Sequence, residues 1–490
     1  MKRKFFSAIL IAIVSLFVIN SASEAKNAVS DERIPPDPNI IIDTLDNGLA
    51  YYIKENHKPE NRAELQIIIK AGSILETDEQ AGLAHFLEHM AFNGTKNFPK
   101  HELVDFLEST GMKFGADLNA STGFDRTYYL LTIPLDSADL LPNGMQVLYD
   151  WADNILLEEE EIEKERGVIM EEWRLYLGAQ ERLRKKHFPV ILKGSKYAER
   201  LPIGDTAVIQ NAPRSEFVKF YEDWYRPELS AVIAVGDFDK NEIEKMIREK
   251  FSKWKNPPNA PERKEYDVPA NKDIRISIAK DKELPTPTLA AYYAFPSPVE
   301  GTYHNYRNKI INNLMAQMLM QRFNELRRKS DPPFMFAFAG ADRFLGDKHA
   351  FNLVAATKAD GLLDGIDAAV KETYRAYQHG FLDSELERVK KEYLRTIEKA
   401  FNEREKTESK SYAFEYSRHF LHGEAIPGIE KELELTKQYL PGITVEEVNE
   451  TLQTLMSGSK PVVMISAPDK EDVAIPSEDE VIAAFTKYEA

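Results

Sequence analysis

Short apolar stretches mark the predicted strands in the first half of the chain. Residues 40–45 and 49–53 flank an Asp-Asn-Gly turn at 46–48, and two apolar stretches around such a turn are typical of a β-hairpin. Residues 63–74 and 127–133 are further apolar stretches rich in β-branched or aromatic side chains. We therefore expect a β-sheet in this part of the chain.

Helical patterns cover two segments between and after these strands. Apolar residues at helical spacing predict a helix over roughly residues 80–92. A second helical pattern covers residues 158–173 and begins with the acidic turn Glu158–Glu161. Acidic side chains at the start of a helix interact favourably with its dipole, which supports the second prediction.

A proline-rich linker divides the chain into two parts. Residues 256–261 read NPPNAP, which cannot continue a helix or a central strand. Charged residues extend this linker to about residue 272. We therefore expect a first domain at 30–255, a linker at 256–272 and a second domain at 273–490.

The pattern of the second part of the chain repeats that of the first, since corresponding segments recur in the same order. A strand leading into a helix at 229–240 has a counterpart at 461–470, and the helical segment 160–177 has one at 383–401. Such internal similarity predicts two α/β domains of the same design.

Composition describes a large globular protein. The chain has 490 residues, 43% of them apolar, which is too long for one typical domain. Its formal net charge is -17 without a basic stripe, which argues against a nucleic-acid partner. It contains no cysteine, which excludes thiol catalysis and cysteine-ligated metals.

The N-terminus has the pattern of a signal peptide. Basic residues Lys2–Lys4 precede an apolar stretch at 5–19, and small residues at 23–25 predict cleavage before Lys26. The alternative is an uncleaved membrane anchor, but the stretch is short for a span of about 20 residues. We expect residues 1–25 to be removed, which leaves no stable membrane span. An exported chain without disulfides suits a bacterial periplasm or secretion.

The predicted helix at 80–92 contains the motif H-x-x-E-H at His85, Glu88 and His89. At about 100° per residue these three side chains fall within one arc of about 100°. Two imidazoles one turn apart can hold one zinc ion, and the intervening carboxylate reaches its water. The alternative is a pair of packed core histidines.

A third zinc ligand is expected from the helical segment at 158–173. Glu165 and Glu172 are seven residues apart and share one face of that helix to within about 20°. We assign Glu172 as the ligand and expect Glu165 to orient a histidine or tune the water. Glu171 is the rival ligand, but it points about 100° away from this face.

These residues predict metal-assisted hydrolysis. Zinc acidifies its bound water and polarises a peptide carbonyl, while Glu88 takes the proton and passes it to the leaving amine. Activity should fall in mild acid because the histidines must be neutral and the carboxylates ionised. One Zn²⁺ per chain is the expected cofactor.

Residues 82–96 read GLAHFLEHMAFNGTK and resemble the signature of the pitrilysin/insulinase-type peptidases, the inverzincins. The segment 165–172 is similar to the same family. The resemblance implies His85, His89 and Glu172 as ligands and Glu88 as base. It also implies an α+β roll fold with two pitrilysin-like domains per half, each a mostly antiparallel sheet packed with helices.

The same resemblance implies where a substrate binds. The segment Asn119, Ala120, Ser121 and Thr122, followed by Thr127 and Tyr129, is similar to the family's substrate-side strand. We expect an extended peptide or unfolded polypeptide to add to this strand by backbone pairing. The alternative is an ordinary loop rich in turn-forming residues.

Family members use an Arg and a Tyr seven residues later, in the opposite half, to hold the substrate carbonyl. The nearest match here is Arg327, and the position seven residues on is Phe334, which has no hydroxyl. The second domain also lacks the metal motif, with Thr396 opposite Glu172. We therefore expect a second pitrilysin-like half, either a separate subunit or a C-terminal continuation beyond Ala490.

The main function hypothesis is an active zinc endopeptidase that hydrolyses peptides or small unfolded proteins. The alternative is a non-catalytic subunit that binds extended peptides or a partner chain, which the missing Arg/Tyr pair motivates. A third hypothesis is an assembly or scaffolding role unrelated to peptides.

Overall fold

A computed structural model describes residues 29–100, 102–113, 115–175, 178–471 and 473–489. The leader predicted at 1–25 lies outside these residues. None of the described helices is both long enough and apolar enough to cross a bilayer.

The first sheet has six strands, all of them from the first half of the chain. They are β1 (Ile41–Thr44), β2 (Ala50–Glu55), β3 (Arg62–Ile69), β4 (Leu118–Thr122), β5 (Thr127–Pro134) and β6 (Ser230–Gly236). Their order across the sheet is β1-β2-β6-β3-β5-β4, and only the β2–β6 pair is parallel. Strand β4 therefore lies at an edge of the sheet.

The second sheet has five strands from the second half of the chain. They are β7 (Arg275–Asp281), β8 (Thr288–Pro296), β9 (Phe336–Leu345), β10 (Lys348–Ala356) and β11 (Val462–Pro468). Their order is β7-β11-β8-β10-β9, and only the β7–β11 pair is parallel. This arrangement repeats β2-β6-β3-β5-β4, which confirms the predicted fold class of two similar, mostly antiparallel α/β units.

Among the described residues, eight helices accompany the first sheet along the chain, and seven accompany the second. The first group is α1 (Leu83–Met90), α2 (Glu102–Ser109), α3 (Leu140–Asp153), α4 (Glu159–Leu175), α5 (Ala179–Ile191), α6 (Thr206–Asn211), α7 (Arg214–Trp224) and α8 (Lys240–Phe251). The second group is α9 (Tyr303–Arg327), α10 (Leu362–His379), α11 (Asp383–Asn402), α12 (Ser409–His422), α13 (Ile429–Tyr439), α14 (Val445–Ser457) and α15 (Glu478–Thr486). Residues 252–274, between the two groups, contain neither helix nor strand.

Each sheet also receives a helix from the other part of the chain. Helix α12 packs on the first sheet, where Tyr416 joins an apolar cluster with Tyr52 and Ile233. Helix α5 packs on β7 and β11 of the second sheet, where His187 lies between Ser277 and Ser466. This reciprocal packing joins the two units through buried contacts.

The strand predicted over residues 63–74 ends earlier than the apolar pattern suggested. Strand β3 stops at Ile69, and the chain then turns at Gly72, where a side chain would collide with the carbonyl of Gly123. Two short 3₁₀ helices follow, Ser73–Leu75 and Asp78–Gln80. Residues Ile74 and Leu75 are buried without belonging to a strand, so hydrophobicity alone extended the prediction too far.

Candidate metal centre

Helix α1 is anchored in the core by one face and carries the metal motif on another. Leu83, Phe86, Leu87 and Met90 are fully buried in the core of the first unit. The helix begins after Gly82, whose φ of 103° is a conformation that favours glycine. His85 and His89 therefore project from the face opposite the anchor, and both are only partly exposed.

Helix α4 brings Glu172 to the two histidines. Its Oε1 lies 3.5 Å from His85 Nε2, and its Oε2 lies 3.1 Å from His89 Nε2. One ligand atom from each of the three side chains lies within 4.8 Å of the other two. The residues expected as ligands from the sequence are thus brought together by two helices that are distant along the chain.

The donor set fits a zinc ion. Ligand atoms about 2.1 Å from a tetrahedral zinc lie about 3.4 Å apart. Each histidine Nε2 lies at a similar distance, 3.5 or 3.1 Å, from one of the two oxygens of Glu172. Two imidazole nitrogens and one carboxylate oxygen leave a fourth position for water, as in catalytic zinc sites. Both histidines direct Nε2 towards Glu172, so the same nitrogen of each ring is available to the metal.

Glu165 contacts His89 at the ring nitrogen that faces away from Glu172. Its Oε1 is 2.9 Å from His89 Nδ1, and its Oε2 accepts a hydrogen bond of 2.6 Å from Asn93 Nδ2. A carboxylate on the far nitrogen of a ligating histidine fixes the orientation of the ring and raises its basicity. By contrast, the buried His85 Nδ1 has no hydrogen-bond partner among the residues that the structure describes.

The charges of the metal-free site are strongly coupled. Hydrogen bonds from His85 and then His89 hold the pKa of Glu172 well below its ordinary value. Burial alone would lower the pKa of His89, but its hydrogen bonds to Glu165 and Glu172 outweigh burial and raise that pKa to about 9. The carboxylates around His89 therefore favour positive charge at this position.

Glu88 is the buried carboxylate of the motif and lies beside the donor atoms. Burial raises its pKa, while nearby His85 and a hydrogen bond from Thr122 lower it. Thr122 Oγ1 donates that bond to Glu88 Oε2 at 2.6 Å. A carboxylate with a raised pKa accepts protons more readily, which suits a general base.

The predicted substrate segment coincides with edge strand β4. Asn119 is exposed, whereas Ala120, Ser121 and Thr122 are partly buried. In the described part of the chain β4 pairs only with β5, which leaves its other edge open. The hydroxyl bond from Thr122 to Glu88 connects the last residue of β4 with the motif on α1.

Other side chains from the sequence analysis make their hydrogen bonds and ion pairs outside the donor set. Glu171 is exposed and forms an ion pair with Arg174 instead of approaching the histidines. Thr127 and Tyr129 are buried on the core side of β5, where Thr127 bonds to the Ala71 carbonyl and Tyr129 to the Tyr225 hydroxyl.

The second unit offers no obvious replacement for the absent Arg/Tyr pair at the matched positions. Arg327 is exposed at the end of α9, and Phe334 is completely buried. Thr396 bonds to the Glu392 carbonyl of its own helix.

Sequence reasoning assigned no role to Asn93 and missed the bond from Thr122 to Glu88. Asn93 lies four residues after His89, so extending the helical spacing beyond α1 would have placed it on the His89 side. The Thr122 contact joins residues that are 34 positions apart and follows only from the tertiary structure.

Two family descriptions match the chain. "Insulinase (Peptidase family M16)" matches residues 51–191, and "Peptidase M16 inactive domain" matches residues 211–393. The first match contains all the donor side chains described above. The chain therefore carries insulinase/pitrilysin-type peptidase domains, which confirms the resemblance expected from the sequence.

Individual relatives agree with the family. A zinc protease PQQL-like protein of Arabidopsis thaliana is 35% identical over 425 residues, which are 86% of this chain and 42% of that protein. The first half of the periplasmic protease PqqL from Escherichia coli has a solved structure with TM-score 0.86 and 28% identity. That comparison covers 93% of this chain and 98% of the solved one.

Pitrilysin shares the fold at lower identity. Its structure has a TM-score of 0.70 and 18% identity, and the match covers 94% of this chain and 50% of pitrilysin. The chain likewise spans between 42% and 49% of the length of three zinc-protease relatives.

Proposed function

We propose that the chain is the metal-binding half of an exported zinc endopeptidase that hydrolyses peptides or small unfolded proteins. The observation that carries this proposal is the convergence of His85, His89 and Glu172 within 4.8 Å, with Glu88 beside them. Membership of a peptidase family and relatives named as zinc proteases support it.

In this proposal His85 and His89 contribute Nε2 and Glu172 contributes a carboxylate oxygen to one zinc ion per chain. When bound, zinc lowers the pKa of a coordinated water and polarises the substrate carbonyl. Glu88 takes the proton from the attacking water and delivers it to the leaving amine. Glu165 holds His89 through Nδ1, so the ring presents Nε2 to the metal.

The substrate would bind as an extended strand on the open edge of β4. Backbone pairing with Asn119–Thr122 is independent of side-chain identity, which suits an enzyme that accepts varied peptides. The contact from Thr122 to Glu88 links this edge to the base, so a peptide bound there would pass the metal.

We further propose that a second pitrilysin-like half completes the enzyme. The chain spans about half of its relatives, and one solved relative is described as the first half of PqqL. That half would supply the Arg/Tyr pair, because the residue seven positions after Arg327 is Phe334, which has no hydroxyl. Export to a bacterial periplasm or secretion is proposed from the leader at 1–25 and agrees with the periplasmic relative.

The alternative function is a subunit that binds peptides or a partner without cleaving them. One observation favours it: Phe334 is a buried phenylalanine without a hydroxyl. The match over 211–393 is to a domain described as inactive. That domain carries none of the metal donors, so its description does not bear on His85, His89 or Glu172.

Peptide cleavage distinguishes the two functions. The chain is stripped of metal with a chelator, reloaded with zinc and incubated with a mixed peptide pool, alone and with a separately produced second half. The proposal predicts cleavage that returns with zinc and is abolished by Glu88→Gln. Peptide binding without zinc-dependent cleavage, in both mixtures, would support the alternative instead.

A further inference from the structure

A buried carboxylate outside the motif caps the start of the metal helix. Glu76 is 1% exposed, and each of its carboxylate oxygens accepts one backbone hydrogen bond. Gly82 N donates to Oε2 at 3.0 Å, and Ala84 N donates to Oε1 at 2.8 Å. The two donors lie three residues and one residue before His85.

Helix α1 has no cap of its own. Its N-cap residue is Gly82, which has no side chain to accept the free N–H groups of the first turn. Glu76 fills this role from six residues upstream, because its carboxyl group accepts both N–H bonds. Burial raises the pKa of this carboxyl to about 8. Its two bonds fix both the position and the rotation of the first turn.

The opposite side of this turn is fixed by a glycine contact. A side chain at Gly204 would lie 2.2 Å from the Gly82 Cα, so the two backbones touch directly. Asp205 N donates to the Ala81 carbonyl at 3.1 Å, and Arg200 Nε donates to the Glu76 carbonyl at 3.1 Å. The start of α1 is therefore held between Glu76 and the segment at 200–205.

The segment that carries Glu76 is also hydrogen-bonded to the turn between β4 and β5. Ser73 N donates to the Gly123 carbonyl at 3.1 Å, and Ile74 N donates to the Phe124 carbonyl at 2.9 Å. Gly123 directly follows Thr122, the hydroxyl donor to Glu88. One short segment thus connects the turn after β4 with the first turn of the metal helix.

We propose that Glu76 is a positioning residue of the metal centre. By hydrogen-bonding the turn before His85, it sets the direction of that side chain and fixes the position of α1 relative to β4. This inference rests on the proposed zinc site. Glu76 does not touch the donor atoms, so its effect is transmitted through the backbone of Gly82 and Ala84.

The test is the zinc affinity of metal-free protein, measured by competition with a coloured chelator. Glu76→Gln keeps the shape but replaces one acceptor oxygen with an NH₂ group that faces a backbone N–H. Mutating a group that is hydrogen-bonded to a metal ligand typically weakens metal binding by about 10- to 100-fold. Because Glu76 acts through the backbone, we expect a loss at the lower end of this range, about 10-fold. Unfolding temperatures of the metal-free proteins are measured in parallel.

Glu64→Gln is the matched control. Glu64 is also a buried glutamate of the same unit, but its carboxylate bonds to Thr132 on β5 and not to α1. Because independent sites do not couple, its zinc affinity should stay within about threefold of the wild type even where stability falls. An equal loss of affinity in Glu64→Gln would mean a general effect and would overturn the inference.

Zinc affinity of Glu76→Gln within about threefold of the wild type would also overturn it, whatever the unfolding temperature. Should Glu76→Gln not fold, Glu76→Asp keeps the carboxyl group but is one methylene too short to reach both N–H groups. We expect weaker zinc binding there too, and wild-type affinity would refute the proposal. A wild-type chain that binds no zinc would instead remove the proposed function itself.

Discussion

Replacing Thr122 with valine tests how the proposed base is held. Thr122 Oγ1 donates a hydrogen bond of 2.6 Å to Glu88 Oε2, and valine has nearly the same shape without the hydroxyl. Glu88 is 8% exposed, so water cannot readily replace the lost donor. The carboxylate should then lose its fixed orientation towards the attacking water.

The size of the effect follows from the type of hydrogen bond. A bond to a charged group contributes about 1.5–3 kcal/mol. Since each 1.36 kcal/mol corresponds to a factor of ten, kcat/KM should fall about 10- to 150-fold if the whole contribution is expressed in the transition state. In the wild type the bond from Thr122 lowers the pKa of Glu88. Without it that pKa rises, so the acid limb of the pH profile should move to higher pH.

The assay is steady-state cleavage of one peptide from pH 5 to 9, with zinc content determined on the same samples. Thr122→Ser keeps the hydroxyl and is the control that should retain most activity. The reasoning fails if Thr122→Val keeps more than about half of the wild-type kcat/KM at full zinc content. It also fails if the serine variant is as impaired as the valine variant.

Two further predictions concern protons. Because the pKa of His89 is raised to about 9 in the metal-free site, zinc must displace a proton, and its apparent affinity should fall about tenfold for each pH unit below 9. Chelator competition from pH 7 to 9 measures this, and an affinity independent of pH would contradict it. At the junction of the two units, burial and then nearby Lys186 lower the pKa of His187 to about 4. Folding favours the neutral imidazole, so the free energy of unfolding is not reduced by this group above pH 6.5. It falls as the pH drops from 6.5 towards 4, where only the unfolded chain takes up the proton, by at most about 3 kcal/mol. His187→Gln should move the midpoint of acid unfolding, followed by near-UV circular dichroism, to lower pH, and an unchanged midpoint would contradict this prediction.

Local patterns were sufficient to predict the metal helix and its partner. The motif at 85–89 and the seven-residue spacing of Glu165 and Glu172 are properties of single helices, and a helix has a fixed period. The repeat of the first sheet in the second was also visible, because strand β11 and helix α11 match β6 and α4 in their patterns. Those predictions required no knowledge of how the helices pack.

Contacts between distant segments could not be predicted in the same way. The bond from Thr122 to Glu88 depends on where β4 lies in the sheet, and the cap from Glu76 depends on a turn that the apolar pattern had extended as a strand. The exchange of α5 and α12 between the two sheets likewise has no local signal. These features arise from tertiary packing, in which burial is known only once the neighbours are known.

Zinc content of the purified chain is the most direct measurement. Our account predicts about one zinc per chain at neutral pH, held by His85, His89 and Glu172 and lost in His85→Ala. A wild-type chain that takes up no zinc under neutral conditions would contradict it, as would a His85→Ala chain that retains the full zinc content.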